Sequence, residues 1–219
     1  KNALKIMRHT FGLPTGLWAG DEQVHFGDPT RGSELCTAVE MMYSLEEMLQ
    51  ATADLQWADH LERVAYNALP TQATDAYDGR QYYQQTNQIA CSREWRNFVT
   101  QHEDNDNVFG VLNGYPCCSC NMHQGWPKFT QNLWYASKDG GLAAFVYAPS
   151  TVTAKVADGV EVSLKQETLY PFEETVKVTV SYPSRKVKKA EFPLYFRIPE
   201  WCQNAQVQVN GESVCDAPK

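Results

Sequence analysis

No stretch of this sequence approaches the roughly 18 consecutive apolar residues that a membrane-spanning helix requires. A membrane partner is therefore not expected. Basic charge is scarce and scattered: 19 Lys and Arg stand against 26 Asp and Glu, for a formal net charge of −7. The longest basic stretch, residues 185–189, reads as a solvated strand or hairpin face. Without a patch able to neutralise phosphates, a nucleic-acid partner is not expected either. The chain also lacks internal repeats, low-complexity tracts and the paired C-x-x-C knuckles of zinc fingers and ribbons. The sequence starts at Lys1 with neither Met nor an apolar signal region, so its targeting is not legible. Residues 2–7 read as the middle of a helix, which makes Lys1 look like an excision or truncation point.

What is present suits a folded protein with a real core. The 219 residues suffice for one large domain or two modest ones, and 43% of them are hydrophobic. Six Trp and eleven Tyr serve core packing, and their faces also suit stacking on sugars. Seven cysteines stand at Cys36, Cys91, Cys117, Cys118, Cys120, Cys202 and Cys215. Adjacent cysteines pair with each other only under strain, and a chain of this length does not need a disulfide scaffold. A metal or reactive-thiol role therefore fits the 117–120 cluster better. Cys202 and Cys215 read as ordinary thiols or one optional disulfide.

The first two thirds read as helical. Val39, Met42, Tyr43 and Leu49 mark one helix, whose start is signalled by the capping-box form Thr37-Ala-Val-Glu40. Trp57, Leu61, Val64, Ala65 and Ala68 mark a second, ended by Pro70. Met122, Trp126, Phe129 and Leu133 mark a third, with a kink expected at Pro127. Long polar connections at 72–88 and 101–114 separate them, and such loops are usually functional. After Asp139-Gly140-Gly141 the pattern changes to short alternating segments at 142–147, 160–164, 176–180, 194–198 and 205–209. Turn formers such as Asp158-Gly159 and Asn210-Gly211 divide them, as in a β-sandwich.

Two short motifs carry chemistry. In Glu34-Leu-Cys36 the capping box at Thr37 puts both polar residues ahead of the helix, where residues two apart share a face. Carboxylate and thiolate then converge on one ion, and zinc accepts such a mixed set. Taken alone, so short a motif is more often a buried Cys beside a surface Glu. Cys117-Cys118-Ser-Cys-Asn121 sits just before the third helix, whose positive dipole end lowers thiol pKa. Structural buried thiols and a redox-sensing cluster are the competing readings. With Glu34 and Cys36, the adjacent pair makes four potential metal ligands.

These motifs stand in an order that resembles a known family. Leu13-Pro-Thr-Gly16, Gly20-Asp-Glu22, Gly32-Ser-Glu-Leu-Cys36, Leu61-Glu-Arg63, Tyr66-Asn-Ala68, Cys117-Cys118-Ser-Cys-Asn121 and Gln124-Gly-Trp-Pro-Lys-Phe129 resemble the β-L-arabinofuranosidases of glycoside hydrolase family 127. Tyr170-Pro-Phe172 and Phe192-Pro-Leu-Tyr-Phe-Arg-Ile-Pro199 resemble the β-sandwich of that family. The resemblance implies the C-terminal part of an (α/α)6 barrel, of the six-hairpin glycosidase kind, at 1–140 and an antiparallel β-sandwich at 141–219. It implies a retaining glycosidase, exo-acting on β-L-arabinofuranosides, with Cys117 as a zinc-bound nucleophile. Glu34, Cys36, Cys117 and Cys118 would hold the zinc, and Glu22 would be the general acid/base. Some members carry C-x-C-C, whereas here Tyr115-Pro116 precedes the pair and Cys120 follows it.

Glu62, in the L-E-R motif, and the loop residues Tyr82 and Tyr83 are candidate sugar contacts, although an ion pair and core packing are equally available roles. His123 follows the cysteines and could orient a ligand; His25 is given no role. The barrel of the family begins well before this chain does, so the chain alone is expected to be inactive. The alternative is a non-catalytic fragment that keeps zinc for structure and serves carbohydrate binding or assembly.

Overall fold

Apolar side chains at helical spacing organise the first of two units, Lys1–Asn132 and Leu133–Lys219. The computed structural model describes residues 2–185 and 189–216, the last two by their backbone. Residues 186–188 of the basic stretch and the Cys215 side chain lie outside the described residues.

In the first unit α1 (Asn2–Phe11) precedes β1 (Ser33–Glu34), which leads directly into α2 (Leu35–Thr52). α2 buries Leu35, Ala38, Val39, Met42, Leu45 and Leu49 along one side, the stripe that a core-facing helix needs. α3 (Gln56–Arg63) continues through a π-helical turn, Val64–Ala68, and a 3-10 turn, Pro70–Gln72. Both α3 and α4 (Cys117–Gln131) pack on α2. Gly125 permits the close approach of α4: a Cβ there would lie 2.6 Å from Leu69 Cδ2. α4 runs through Pro127 as one helix.

Two helix starts differ from the sequence expectation. α2 begins at Leu35 with Glu34 as its N-cap, so Thr37 lies inside the first turn and caps nothing. β1 pairs antiparallel with β2 (Tyr83–Gln84), and the Leu35 N–H donates to the Tyr82 carbonyl at 3.1 Å. This pairing holds the chain extended as far as Glu34, and the helix starts where the pairing stops. The cysteine pair likewise opens α4 rather than preceding it, with Pro116 at the N-cap.

Between the 3-10 turn and α4 the chain carries only β2 among regular elements. Backbone hydrogen bonds tie this long connection down. The Asp106 carbonyl accepts from the N–H groups of both Tyr82 (2.8 Å) and Tyr83 (2.9 Å), and Arg80 and Gly110 exchange backbone bonds.

The second unit is built from strands. β3 (Trp134–Ala136), β4 (Leu142–Ala144) and β8 (Leu194–Phe196) form one sheet, and β5 (Ser150–Val156), β6 (Val160–Thr168) and β7 (Val176–Ser181) form another. β9 (Gln206–Val209) and β10 (Glu212–Asp216) make a hairpin around Asn210 and Gly211, both at positive φ as a tight primed turn requires. Val162, Leu164 and Gln166 on β6 are buried at alternate positions, the period of a strand with one face inward. Leu142, Val156, Val162 and Leu164 centre the core, with Trp134, Phe192 and Leu194 packed against them.

The expectation of a wholly antiparallel unit is corrected: β4 and β8 pair parallel. All of β5–β7 intervenes between them, which provides the long crossover a parallel pair needs. β5, absent from the segments expected from sequence, pairs with β6 over seven positions, Ser150–Val156 against 160–166, and turns Val152, Ala154 and Val156 to its more buried face.

Candidate metal centre and active site

Two helix N-termini converge on one cluster. Glu34 is the N-cap of α2 and Cys36 its second residue; Cys117 and Cys118 are the first two residues of α4. One ligand-type atom from each of Glu34, Cys36, Cys117 and Cys118 lies within 4.8 Å of every other. Cys36 and Cys118 Sγ are 3.3 Å apart, and Glu34 Oε1 lies 3.6 Å from Cys117 Sγ and 3.5 Å from Cys118 Sγ. The positive ends of two helix dipoles thus face a set of acidic groups, an arrangement that favours their anionic forms.

The donor set suits zinc. Tetrahedral ligands at about 2.3 Å for sulfur and about 2.1 Å for oxygen would stand roughly 3.6–3.8 Å from one another, close to the sulfur–oxygen separations here. The four groups include no cationic side chain. Without a cation their protonation states divide. The hydrogen bond from Cys118 holds the Cys36 thiol below its ordinary range, with Asn121 Nδ2 a second donor at 3.3 Å. The same bond, with burial, pushes the Cys118 thiol up. Burial first, and then the charge of Cys36, raises Cys117. A bound divalent cation is the one change that would favour all three thiolates together.

The expected acid/base sits beside this cluster. Tyr82 Oη donates to Glu22 Oε1 at 2.5 Å and lies 3.8 Å from Cys117 Sγ; Tyr83 Oη donates to the same carboxylate oxygen at 3.2 Å. Burial and the carboxylate together push both phenols well above the ordinary tyrosine range, so they stay donors. Glu22 has a positive φ of 74°, a sparsely populated conformation for a non-glycine residue. The buried Asp21 anchors this turn, accepting from Val99 N–H at 3.1 Å and contacting His25 Nε2 at 2.5 Å. The tyrosines are wedged by glycines: a Cβ on Gly32 would lie 2.9 Å from Tyr83, and one on Gly114 (φ +65°) 2.3 Å from the Tyr82 ring.

Of the residues singled out from sequence, Glu34, Cys36, Cys117 and Cys118 come together, and Tyr82 links them to Glu22 and Tyr83. Glu62 is buried on α3 and is not one of the four clustered residues. Cys120 is exposed and stands outside the cluster, which the adjacent pair joins. Three residues drew no role from sequence. Asn121 donates to Cys36; Asp106 holds the Tyr82-Tyr83 backbone and contacts His102 Nδ1; Arg80 is described below. Only Asn121 had a signal, its place four residues after Cys117.

The fold and site define a class: a helical unit bearing an acidic thiol cluster and a carboxylate, followed by a unit of small sheets. The chain belongs to glycoside hydrolase family 127, the β-L-arabinofuranosidase family. Residues 20–131 match the family model "Beta-L-arabinofuranosidase, GH127 catalytic domain", and residues 141–219 match "Beta-L-arabinofuranosidase, GH127 middle domain".

A non-reducing end β-L-arabinofuranosidase of Bifidobacterium longum subsp. longum is 28% identical over 189 residues, 84% of this chain and 27% of that protein. The crystal structure of a GH127 β-L-arabinofuranosidase from Geobacillus stearothermophilus T6 shares the fold with a TM-score of 0.78 at 24% identity, over 97% of this chain and 33% of that one. A structure titled glycoside hydrolase gives a TM-score of 0.69 at 27% identity, over 88% and 30%. The chain thus spans about a third of the length of these relatives.

Proposed function

We propose that this chain carries the nucleophile and the acid/base of a retaining glycoside hydrolase that removes non-reducing terminal β-L-arabinofuranosyl groups. The reading rests on one observation: the cluster of Glu34, Cys36, Cys117 and Cys118 lies one tyrosine hydroxyl away from Glu22. The relative from Bifidobacterium longum supports the choice of sugar. In this reading residues 1–140 are the C-terminal part of an (α/α)6 barrel, and residues 141–219 form a β-sandwich.

Glu34, Cys36, Cys117 and Cys118 would hold zinc, which when bound supplies the positive charge that keeps the sulfurs deprotonated at neutral pH. Cys117 Sγ, the more accessible member of the adjacent pair, attacks the anomeric carbon. The glycosidic C–O bond breaks, and the Glu22 carboxyl gives its proton to the leaving oxygen. Glu22, now a carboxylate, takes a proton from water, whose oxygen displaces the Cys117 sulfur. The sugar leaves with its anomeric configuration retained, and sulfur occupies the role of the usual second carboxylate. Tyr82 and Tyr83 orient Glu22 throughout, and Tyr82 also borders the sulfur.

The test is turnover of aryl and alkyl β-L-arabinofuranosides by the protein that contains this chain. Cys117→Ser should abolish turnover of both. Glu22→Gln should slow the alkyl substrate far more than an activated aryl one, whose leaving group needs little acid assistance. Equal losses on the two substrates would remove Glu22 from the acid role.

A further inference from the structure

We infer that Arg80 is a positioning residue for the thiolate pair, fixing the chain that enters α4 and offsetting the negative charge of the metal centre. This rests on the metal reading above. Arg80 is 1% exposed, so its guanidinium is withdrawn from water. Its donors all go to the segment around the pair. Nε donates to Ser119 Oγ at 3.1 Å, Nη1 to the Asn113 carbonyl, and Nη2 to the carbonyls of Tyr115 at 2.8 Å and Val111 at 3.3 Å. One side chain thus holds three carbonyls just upstream of Cys117 and a hydroxyl just downstream of Cys118. The Ser119 hydroxyl in turn donates to the Val111 carbonyl and closes the loop onto the helix.

A merely structural arginine at this depth would normally face a carboxylate, because an unpaired buried charge is expensive. None of the ion pairs among the described residues includes Arg80. Carbonyl dipoles satisfy its donors without neutralising it. Three thiolates and a carboxylate around a dication remain net anionic, and a desolvated cation beside the same helix turn supplies the missing balance. Arg80 also lies over the Tyr82 ring, with Cζ 5.6 Å from the centroid, so it supports the tyrosine that touches both Glu22 and Cys117.

The experiment uses the 219-residue chain and zinc alone. Affinity is measured by competition with a chromophoric chelator, and the zinc-free fold is followed by circular dichroism and melting. Arg80→Lys keeps the charge but cannot span three carbonyls and a hydroxyl. It should weaken zinc binding roughly ten- to hundredfold, the usual scale for residues behind metal ligands, while the zinc-free chain stays folded. Ser119→Ala should give a smaller loss in the same direction, and it decides the matter if Arg80→Lys does not fold. Leu61→Ala, a core truncation on α3, should lower the melting temperature and leave affinity unchanged. Zinc uptake by the wild-type chain with equal affinity in Arg80→Lys and Ser119→Ala would overturn the role of Arg80 alone. A wild-type chain that takes up no zinc would overturn the metal reading and, with it, this inference.

Discussion

Glu46 gives the sharpest test of the packing in the helical unit. It lies on the buried side of α2 and is 1% exposed. Oε2 accepts from Asn132 Nδ2 at 3.0 Å, while Oε1 is buried without a partner. Burial pushes the carboxyl from its ordinary 4.5 up to about 7, against the opposing effects of the Asn132 bond and the Lys128 charge. A rise of about 2.5 units corresponds to roughly 3 kcal/mol at about 1.36 kcal/mol per unit.

The sign follows from proton linkage. The folded state favours the protonated acid, so the penalty is absent below pH 4.5, grows as the pH rises to about 7, and is flat above. The perturbation is Glu46→Gln, which keeps shape and amide-range polarity but cannot ionise. Urea unfolding of both chains at pH 5 and pH 8 is the assay. The variant should be the more stable by about 3 kcal/mol at pH 8, with the gap down to about 1 kcal/mol at pH 5. Parallel loss of stability by both chains between these pH values would show that the Glu46 carboxyl is solvated or otherwise paired, and the burial argument would fail.

Two further outcomes bear on the site. Purified without chelator, the chain should hold about one zinc ion, and Cys118→Ser should cut the bound metal sharply; substoichiometric zinc after zinc is offered would count against the four-ligand set. Gly114→Ala should displace Tyr82, because the new Cβ would stand 2.3 Å from its ring at a φ of +65°; an unchanged Tyr82 environment by nuclear magnetic resonance would contradict this.

The parts of the fold that were legible in the sequence are those written in short windows. Periodicity marked α2, α3 and α4, and Asp158-Gly159 and Asn210-Gly211 marked two hairpins that the strand pairing contains. Short motifs in a recognisable order marked the family. What was not legible depends on pairs far apart in sequence. β8 joins β4 across about 50 residues, and no local pattern encodes which strand it meets. Arg80 reads as one polar residue in a polar loop; its importance comes from carbonyls 31–35 residues away. β5 was passed over although Thr151, Thr153 and Lys155 alternate with Val152, Ala154 and Val156, a strand pattern legible in its own window.

The misplaced start of α2 is itself informative about the site. The capping-box reading assigned Thr37 to the N-cap, leaving Glu34 and Cys36 on extended chain. In the structure the N-cap is Glu34, which lies outside the preferred set of Ser, Thr, Asp and Asn and makes no side-chain bond to its own helix. Its oxygen turns outward to Cys117 and Cys118 Sγ instead. The first turn of α2 thus does without the roughly 1 kcal/mol that a Ser, Thr, Asp or Asn cap would contribute, and it presents a carboxylate and Cys36 Sγ to the first turn of another helix. A local rule that looks for a preferred cap finds Thr37 instead and misplaces the helix. The three-residue error arises where the chain gives up a local preference for a contact made about 80 residues away. Departures from local consistency of this kind are expected at functional sites rather than in the supporting core, and here the departure falls on the cluster of Glu34, Cys36, Cys117 and Cys118.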